Sequence, residues 1–115
     1  MKHNTYYGQI QEGRHIVCVI EEGKSPMPLS IGRAVEAGFR FFNNVAWGHM
    51  GRGSMQLAAA ILLEEAGDGK DPSLIREYVE PFCREVIAAL PHDRGFTLTS
   101  DSIREWTDER PVVAR

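Results

Sequence analysis

The apolar positions at the start of the chain fall in two short runs that predict a β-hairpin. The first run covers residues 6–10, the second covers residues 15–20, and a Glu-Gly pair at 12–13 supplies the turn between them. The second run is apolar on both faces and rich in β-branched residues, so we expect a central or covered strand. Gln9 and Gln11 share one face of the first run, so we expect that strand to be half exposed.

The pattern after the hairpin predicts an extended connector, a short helix and a third strand. Two prolines within residues 26–28 prevent a helix and weaken strand pairing. From Ser30, the expected N-cap, apolar residues follow helical spacing until Gly38 ends the helix. Large apolar residues at two-residue offsets within residues 39–47 then predict a strand, which we expect to join the hairpin.

Two long helices are predicted in the second half of the chain. The first spans residues 54–66, where small and straight-chain residues give a high helix propensity. The second begins at Asp71-Pro72, with the aspartate as N-cap, and carries a continuous apolar stripe over residues 74–90. Pro81 interrupts this helix and lacks a backbone N–H, so we expect a kink or two abutting segments there.

The centre of that stripe and the end of the chain complete the predicted fold. Phe82 and Val86 occupy the middle of the stripe, and we expect both in the hydrophobic core. Residues 96–98 predict a short edge strand, and Thr99 or Ser100 caps a last helix. The predicted fold class is α+β, with a small antiparallel sheet of about three strands packed against two long helices plus a short C-terminal helix.

Length and composition fit one globular domain. The 115 residues are 43% apolar and 25% charged, so we expect a single domain over residues 1–115 with an ordered core at about 5–108. No apolar run approaches the ~20 residues that span a bilayer, and the N-terminus lacks an apolar signal segment. We therefore expect a cytoplasmic protein without membrane contact.

The reactive residue types do not form a catalytic or metal-binding pattern in the sequence. Cys18 and Cys83 stand 65 positions apart among apolar neighbours, which predicts two buried, reduced thiols. No pair of cysteines or histidines has the spacing of a zinc site, and no histidine has a carboxylate at a spacing typical of a triad. We therefore predict no catalytic residue, no metal and no cofactor.

Charge is distributed unequally along the chain. Residues 1–60 carry six Lys or Arg against four Glu, whereas residues 61–115 carry seven Lys or Arg against twelve Asp or Glu. Neither part has a dense basic stripe, so we do not expect direct binding to nucleic acid. Glu77, Glu80 and Glu85 lie off the apolar stripe, and we predict that this acidic face contacts a protein partner.

A glycine-rich junction precedes the first long helix and has two interpretations. Its residues are Gly48, His49, Gly51, Arg52, Gly53 and Ser54. In the structural interpretation the glycines let the chain reverse tightly beside Trp47, and Gly51 or Gly53 has a positive φ. In the functional interpretation, amides at the helix N-terminus bind an anion, with His49 and Arg52 adding positive charge.

Residues 47–62 contain three motifs in succession: Trp-Gly, then Gly-Arg-Gly, then Gln-Leu-Ala at the opening of a helix. This run resembles the signature of a small uncharacterised domain family of bacterial, phage and mobile-element genomes. Tyr7-Gly8 and the segments 82–91 and 96–99 also resemble that family, so the similarity covers most of residues 6–106. The resemblance implies an α+β fold and a phage or mobile-element origin, in a bacterial host.

These patterns together predict a non-enzymatic binding protein. The favoured hypothesis is a phage or mobile-element accessory protein that inhibits a host defence complex, such as a CRISPR effector, by protein contact. The small size and the acidic C-terminal half fit that class, and Trp47 joins the acidic residues as a candidate contact. The alternative is a protein that binds a small ligand, a nucleotide or another anion, or an enzyme, using the helix N-terminus at Gly48–Gly53.

Overall fold

The computed structural model describes residues 3–67 and 73–109 and has an α+β fold. Its strands are β1 (Asn4–Gln11), β2 (Arg14–Glu21), β3 (Met27–Pro28) and β4 (Phe96–Thr99), and its helices are α1 (Gly32–Glu36), α2 (Arg52–Ala66), α3 (Ser73–Phe82) and α4 (Ser100–Asp108), with a π-helical segment at Cys83–Ile87 directly after α3. The strands form an antiparallel sheet in the order β3-β2-β1-β4.

The predicted hairpin is confirmed. β1 and β2 pair along their whole length, and Gln11 lies opposite Arg14 beside the turn. Glu12 and Gly13 form the turn with φ angles of 52° and 77°, and two such residues in succession match the twist of the flanking strands. β2 lies between two other strands, so it is central as expected.

Two short strands extend the hairpin on either side. β4 pairs with β1 and confirms the edge strand predicted at residues 96–98. β3 pairs with β2 through Met27 and Pro28, where the sequence predicted only a connector. Proline has no N–H to donate to a neighbouring strand. It is tolerated in β3 because β3 is an edge strand, with a neighbour on one side only. The sheet therefore has four strands rather than about three.

The prediction of a strand over residues 39–47 is wrong. This segment is irregular, and Gln56 of α2 takes the place of a neighbouring strand. The side-chain oxygen of Gln56 accepts hydrogen bonds from the backbone N–H groups of Phe41 and Phe42 at 2.8 and 3.0 Å, and its amide donates to the Phe39 carbonyl at 3.0 Å. One buried side chain thus satisfies backbone groups that a strand would have paired.

The helices on either side of this segment lie where they were predicted, with small shifts at their ends. α1 has Ile31 rather than Ser30 as its N-cap, and Gly38 follows it with a φ of 98°. α2 starts at Arg52, two residues before the predicted start, and ends at Ala66 as predicted. It is buried along most of its length and contacts α1, α3 and the π-helical segment, so it is the central helix of the fold.

Pro81 divides the next helix into two abutting segments, as expected. The N-cap predicted at Asp71-Pro72 lies outside the described residues, and α3 is described from Ser73 onward. After Pro81 the backbone widens into the π-helical segment, in which the Ala88 N–H donates to the Cys83 carbonyl, five residues earlier, at 2.8 Å. Because Pro81 lacks the N–H that a regular α-helical turn requires, the change of helical geometry follows it directly.

The π-helical segment changes which residues face the core. Phe82, Cys83 and Ile87 are completely buried, whereas Val86 is half-buried at the edge of the core. The prediction for Phe82 is therefore confirmed, but Val86 is not in the centre of the core. Across the wider turn the buried residue is Ile87, five positions after Phe82, rather than Val86, four positions after it.

The last helix begins with the cap predicted at Thr99. The Thr99 hydroxyl accepts a hydrogen bond from the Ser102 N–H at 3.1 Å, and the Thr99 N–H donates to the Ser102 hydroxyl at 3.2 Å. This reciprocal pair satisfies amides that the first turn of α4 leaves unpaired. Trp106 then packs edge-on against Phe82, with ring centroids 5.0 Å apart, and attaches α4 to α3.

The hydrophobic core lies on one face of the sheet. Tyr6, Val17 and Phe96 point into it from three strands, and α2 supplies Leu57 and Ile61 to the same cluster. Side chains alternate along a strand, so the residues between these positions point to the opposite face. The apolar residues of that opposite face lie outside the core cluster.

Candidate functional site

The glycine-rich junction brings the chain against the end of the π-helical segment. Gly48 donates its N–H to the Ile87 carbonyl at 3.0 Å and has a φ of 88°. A Cβ on Gly48 would lie 2.4 Å from the Cα of His92, closer than a side chain can approach. Both the left-handed backbone and this contact therefore require glycine at position 48.

The other two glycines of the junction differ from the prediction. The positive φ predicted at Gly51 or Gly53 is wrong, because Gly51 is extended at a φ of 175° and Gly53 lies within α2. A Cβ on Gly53 would lie 2.9 Å from the Ala46 Cβ, so the helix packs closely on the preceding loop. Ser54 is buried and donates its hydroxyl to the His49 carbonyl at 2.6 Å. These contacts support the structural interpretation of the junction.

The charged side chains of the junction lie at the surface. His49 and Arg52 are exposed, and α2 begins after Gly51 without a side-chain cap. A buried polar atom without a hydrogen bond could point to a missing ligand. Among the described residues that atom is Asn4 Oδ1, and Asn4 contacts Ser100 rather than this junction. No second feature therefore points to a ligand here, and anion binding at the junction stays a prediction.

Trp47 is completely buried and offers no surface to a partner. Its ring packs edge-on against His15 and Phe96, with centroid separations of 4.5 and 4.8 Å. Its indole N–H donates to the Arg94 carbonyl at 2.9 Å. Trp47 thus joins the junction to the sheet and to the loop before β4, and its role is structural.

The acidic face predicted on the second long helix is at the surface. Glu77, Glu80 and Glu85 are all exposed. Arg84 forms ion pairs with Glu80 and, at 3.8 Å, with Glu85. Glu85 also accepts a hydrogen bond from the Trp106 indole at 3.2 Å. These pairs neutralise part of the negative charge within the protein, which weakens the face as a source of long-range attraction.

The structure presents another candidate contact surface, which the sequence analysis did not identify. It is the side of the sheet that points away from the core, and we call it the outer sheet face. Its side chains belong to Thr5, Tyr7, Gln9, Gln11, Arg14, Ile16, Cys18, Ile20, Pro28, Thr97 and Thr99. Of the described side chains on this face one is charged, Arg14 at the hairpin end, although the chain as a whole is 25% charged.

Five apolar residues of the outer sheet face form a continuous patch, which we call the Cys18 patch. Tyr7, Cys18 and Pro28 lie side by side across β1, β2 and β3, and Ile16 and Ile20 flank the cysteine along β2. Neighbouring side chains on one sheet face are separated by about 5 Å across strands and about 7 Å along a strand, so all five are within contact range. Tyr7 is 38% exposed, and the three residues of β2 are half-buried.

A signal for this patch was present in the sequence. β2 is apolar on both faces, which predicted a covered strand. One of its faces is covered by the core, and the other is the Cys18 patch. The sequence pattern alone could not separate a strand covered by its own protein from one that presents an apolar surface.

The two cysteines lie in different environments. Cys83 is buried, and its Sγ lies 3.6 Å from the Met50 sulfur. Burial raises the pKa of the Cys83 thiol to about 11, with a smaller contribution from the charge of Glu80. Cys18 is half-buried on the outer sheet face, so the prediction of two buried thiols is confirmed for Cys83 alone. Both thiols are free.

A buried polar cluster joins β1 to α2 and α4. The hydroxyls of Tyr6 and Ser100 each donate to Glu65 Oε2 at 2.6 Å, and the Asn4 N–H donates to the Ser100 hydroxyl at 2.8 Å. Burial raises the pKa of the Tyr6 phenol above its ordinary value, and the hydrogen bond and charge of Glu65 raise it further. Sequence reasoning missed this cluster because Asn4 and Ser100 are 96 positions apart.

Comparison with known proteins places the chain in a family without assigning an activity. The family described as "Family of unknown function (DUF6166)" matches residues 6–109, which include the whole Cys18 patch. No curated protein and no solved structure matches the chain. Among the residues described, no group of three or more His, Cys, Asp or Glu side chains could hold a metal ion, and no helix is both long and apolar enough to cross a membrane.

Proposed function

The chain belongs to the family of unknown function DUF6166, and from this surface we propose that it is a non-enzymatic protein-binding domain. The partner contacts the outer sheet face. The observation that carries the proposal is the Cys18 patch, in which apolar residues from three strands lie together on a face that the protein's own core does not include.

The chemistry of the outer sheet face is that of a protein interface. Single apolar residues at a surface are ordinary, but a continuous apolar patch with a polar border is typical of a contact site. The border here is mostly neutral, because Thr5, Gln9, Thr97 and Thr99 surround the patch. Its charged member, Arg14, is exposed at the hairpin end. A partner with an apolar, uncharged surface can cover it without burying an unpaired charge.

The same chemistry disfavours nucleic acid as the partner of this face. Binding to a phosphate backbone requires Lys or Arg side chains that replace condensed counterions. Among the described residues, the outer sheet face has a single such side chain, Arg14 at its hairpin end, which is far from the basic stripe that such binding needs. A protein surface is therefore the better match.

The polar side chains in the interior hold the fold together, which supports a binding role over an enzymatic one. The acceptor oxygen of Glu65 is occupied by the hydroxyls of Tyr6 and Ser100, and the side chain of Gln56 is occupied by loop backbone. These groups stabilise the fold through hydrogen bonds with each other and with the backbone.

The more specific hypothesis from the sequence provides one partner to test. It is that the protein acts in the cytoplasm of a bacterial host, as a phage or mobile-element product that inhibits a host defence complex such as a CRISPR effector. A flat apolar face suits inhibition by covering a protein surface. Addition of the purified protein to a purified effector complex, with the target-cleavage rate as readout, tests this form of the proposal.

A matched pair of variants tests the contact surface itself. Ile16→Thr with Ile20→Thr makes the Cys18 patch polar while keeping β-branched side chains on β2. Glu77→Lys with Glu80→Lys reverses charge on the acidic face and leaves the outer sheet face intact. The threonine variant is expected to lose capture of the partner from bacterial lysate, and the lysine variant to retain it. Thermal unfolding of both variants confirms that they are folded.

Protection of Cys18 provides a direct readout of contact. In the captured complex, alkylation of Cys18 should slow at least ~10-fold relative to the protein alone, because a bound partner covers the thiol. Capture that persists in the threonine variant, without protection of Cys18, would assign the contact to another surface. Sedimentation of the protein alone shows whether a second copy is the partner.

A further inference from the structure

A cavity of about 370 Å³ lies between α2, α3 and α4, on the core side of the sheet and away from the outer sheet face. This volume is within the range of small-molecule sites. Its apolar wall is formed by Leu62 of α2, Ile75 and Tyr78 of α3, and Ile103 of α4. Three helices thus enclose an apolar space at the surface of the protein.

One carboxylate in the cavity wall has a fixed orientation. Glu65 Oε2 accepts hydrogen bonds from the hydroxyls of Tyr6 and Ser100 and, at 3.4 Å, from the side-chain amide of Asn4. Within the described residues, its other oxygen, Oε1, accepts no hydrogen bond. The buried cluster therefore holds the Glu65 carboxylate in place, and Glu65 lines the cavity while its second oxygen is not used by that cluster.

The charged groups of the described residues that line the cavity leave it negative. Asp108 lines the same cavity as Glu65, and the positive side chain among the lining residues, Arg104, forms an ion pair with Asp101. The aromatic ring of Tyr78 adds a surface that attracts cations. An anionic ligand would bring a second negative charge close to the Glu65 carboxylate, which is unfavourable in a partly buried site.

We propose that this cavity binds a small organic cation, with an apolar body between the three helices and an ammonium group at Glu65 Oε1. The site is independent of the proposed protein contact, because it shares no residue with the outer sheet face. Bound ligand would link α2, α3 and α4, and so would stabilise the folded state.

Three probes of equal chain length test the proposal on the full chain. Hexylamine, hexanol and hexanoate share an apolar body and differ in head-group charge. Hexylamine should bind at least ~10-fold more tightly than hexanol, and hexanoate should bind more weakly than either. Chemical shifts of the Tyr78 and Ile103 side chains, followed by NMR during titration, report binding at this site.

Two variants assign the binding to the cavity. Glu65→Gln keeps an acceptor for Tyr6 and Ser100 but removes the charge, so it should abolish the preference for hexylamine over hexanol. Ala66→Phe places a ring at a half-buried position in the cavity wall and should reduce binding of both probes at least ~10-fold. Its effect can be measured even if Glu65→Gln does not fold.

The proposal is overturned by equal affinities for the three probes, by tightest binding of hexanoate, by absence of hexylamine binding, or by hexylamine binding that Ala66→Phe leaves unchanged. Binding of hexylamine only after removal of residues 110–115 would also overturn it, because the occupant would then be a segment of the chain itself. Partner capture by the Ile16→Thr, Ile20→Thr variant does not affect these outcomes. The proposed protein contact and the proposed cation site can therefore be disproved independently.

Discussion

The phenolic hydroxyl of Tyr6 donates a 2.6 Å hydrogen bond to Glu65 and thereby fixes strand β1 to the end of helix α2. Ser100, the first residue of α4, donates to the same carboxylate oxygen at the same distance. One acceptor therefore joins three elements that are distant in the sequence. Because the acceptor is charged, these hydrogen bonds are stronger than those between neutral groups.

The first prediction concerns this bond. Tyr6→Phe removes the donor and should lower the free energy of unfolding by about 1–2 kcal/mol at neutral pH. The folded-state pKa of Tyr6 is raised above the ordinary value of 10.0, so its contribution to stability is present below that pH and is lost as the pH rises beyond it. Urea unfolding between about pH 8 and pH 11 should show the wild type losing more stability than the variant. A constant difference across this range would contradict the raised pKa.

The second prediction concerns the side chain that replaces a strand. Gln56→Leu leaves the backbone groups of Phe39, Phe41 and Phe42 without their partner and should lower the free energy of unfolding by about 2–4 kcal/mol. Hydrogen exchange at the Phe41 and Phe42 amides should become faster. The matched control is Gln11→Leu at an exposed position of β1, which should change stability by about 0.5 kcal/mol or less. Equal effects of the two variants would mean that Gln56 does not hold this segment.

The third prediction separates two glycines of the junction. Gly48→Ala should destabilise the fold by at least ~2 kcal/mol, because position 48 has a positive φ and no space for a Cβ beside His92. Gly51→Ala should cost less than ~1 kcal/mol, since its backbone is extended and its Cβ would meet only the exposed ring of His49 at 3.2 Å. Thermal unfolding of both variants measures the difference. A larger loss of stability in Gly51→Ala than in Gly48→Ala would indicate that position 51, rather than position 48, has a positive φ.

The fourth prediction follows from the π-helical segment. Phe82→Ala should lower the free energy of unfolding by about 3–5 kcal/mol, whereas Val86→Ala should cost about 1 kcal/mol. The reason is that Phe82 is completely buried and Val86 only half-buried. Denaturant unfolding distinguishes the two. A loss at Val86 as large as that at Phe82 would indicate a regular α-helix through this segment.

The fifth prediction concerns thiol reactivity. In the folded protein at about pH 8, Cys18 should be alkylated rapidly and Cys83 slowly, because Cys83 is buried and its raised pKa keeps it protonated. Mass spectrometry should show one fast modification per chain, and Cys18→Ser should remove it. Rapid modification in that variant would show that Cys83 is reached by solvent.

The sequence by itself determined the elements whose signals are local. The hairpin follows from two apolar runs around a turn at 12–13, and α4 follows from the Thr99 cap. The break after Pro81 follows from a missing N–H, which is a property of one residue. In each case the groups that satisfy one another are within a few positions, so the pattern of residues is sufficient to predict the structure.

The tertiary structure decided the features that depend on distant partners. Residues 39–47 have the pattern of a strand, but Gln56 supplies their hydrogen bonds from α2. Gly48 requires glycine because His92 lies against it, and Glu65 collects donors from two other elements. The Cys18 patch becomes visible only when the helices are placed on one side of the sheet. A sequence records which residues are apolar or polar, whereas burial and hydrogen bonding are set by neighbours that only the folded chain brings together.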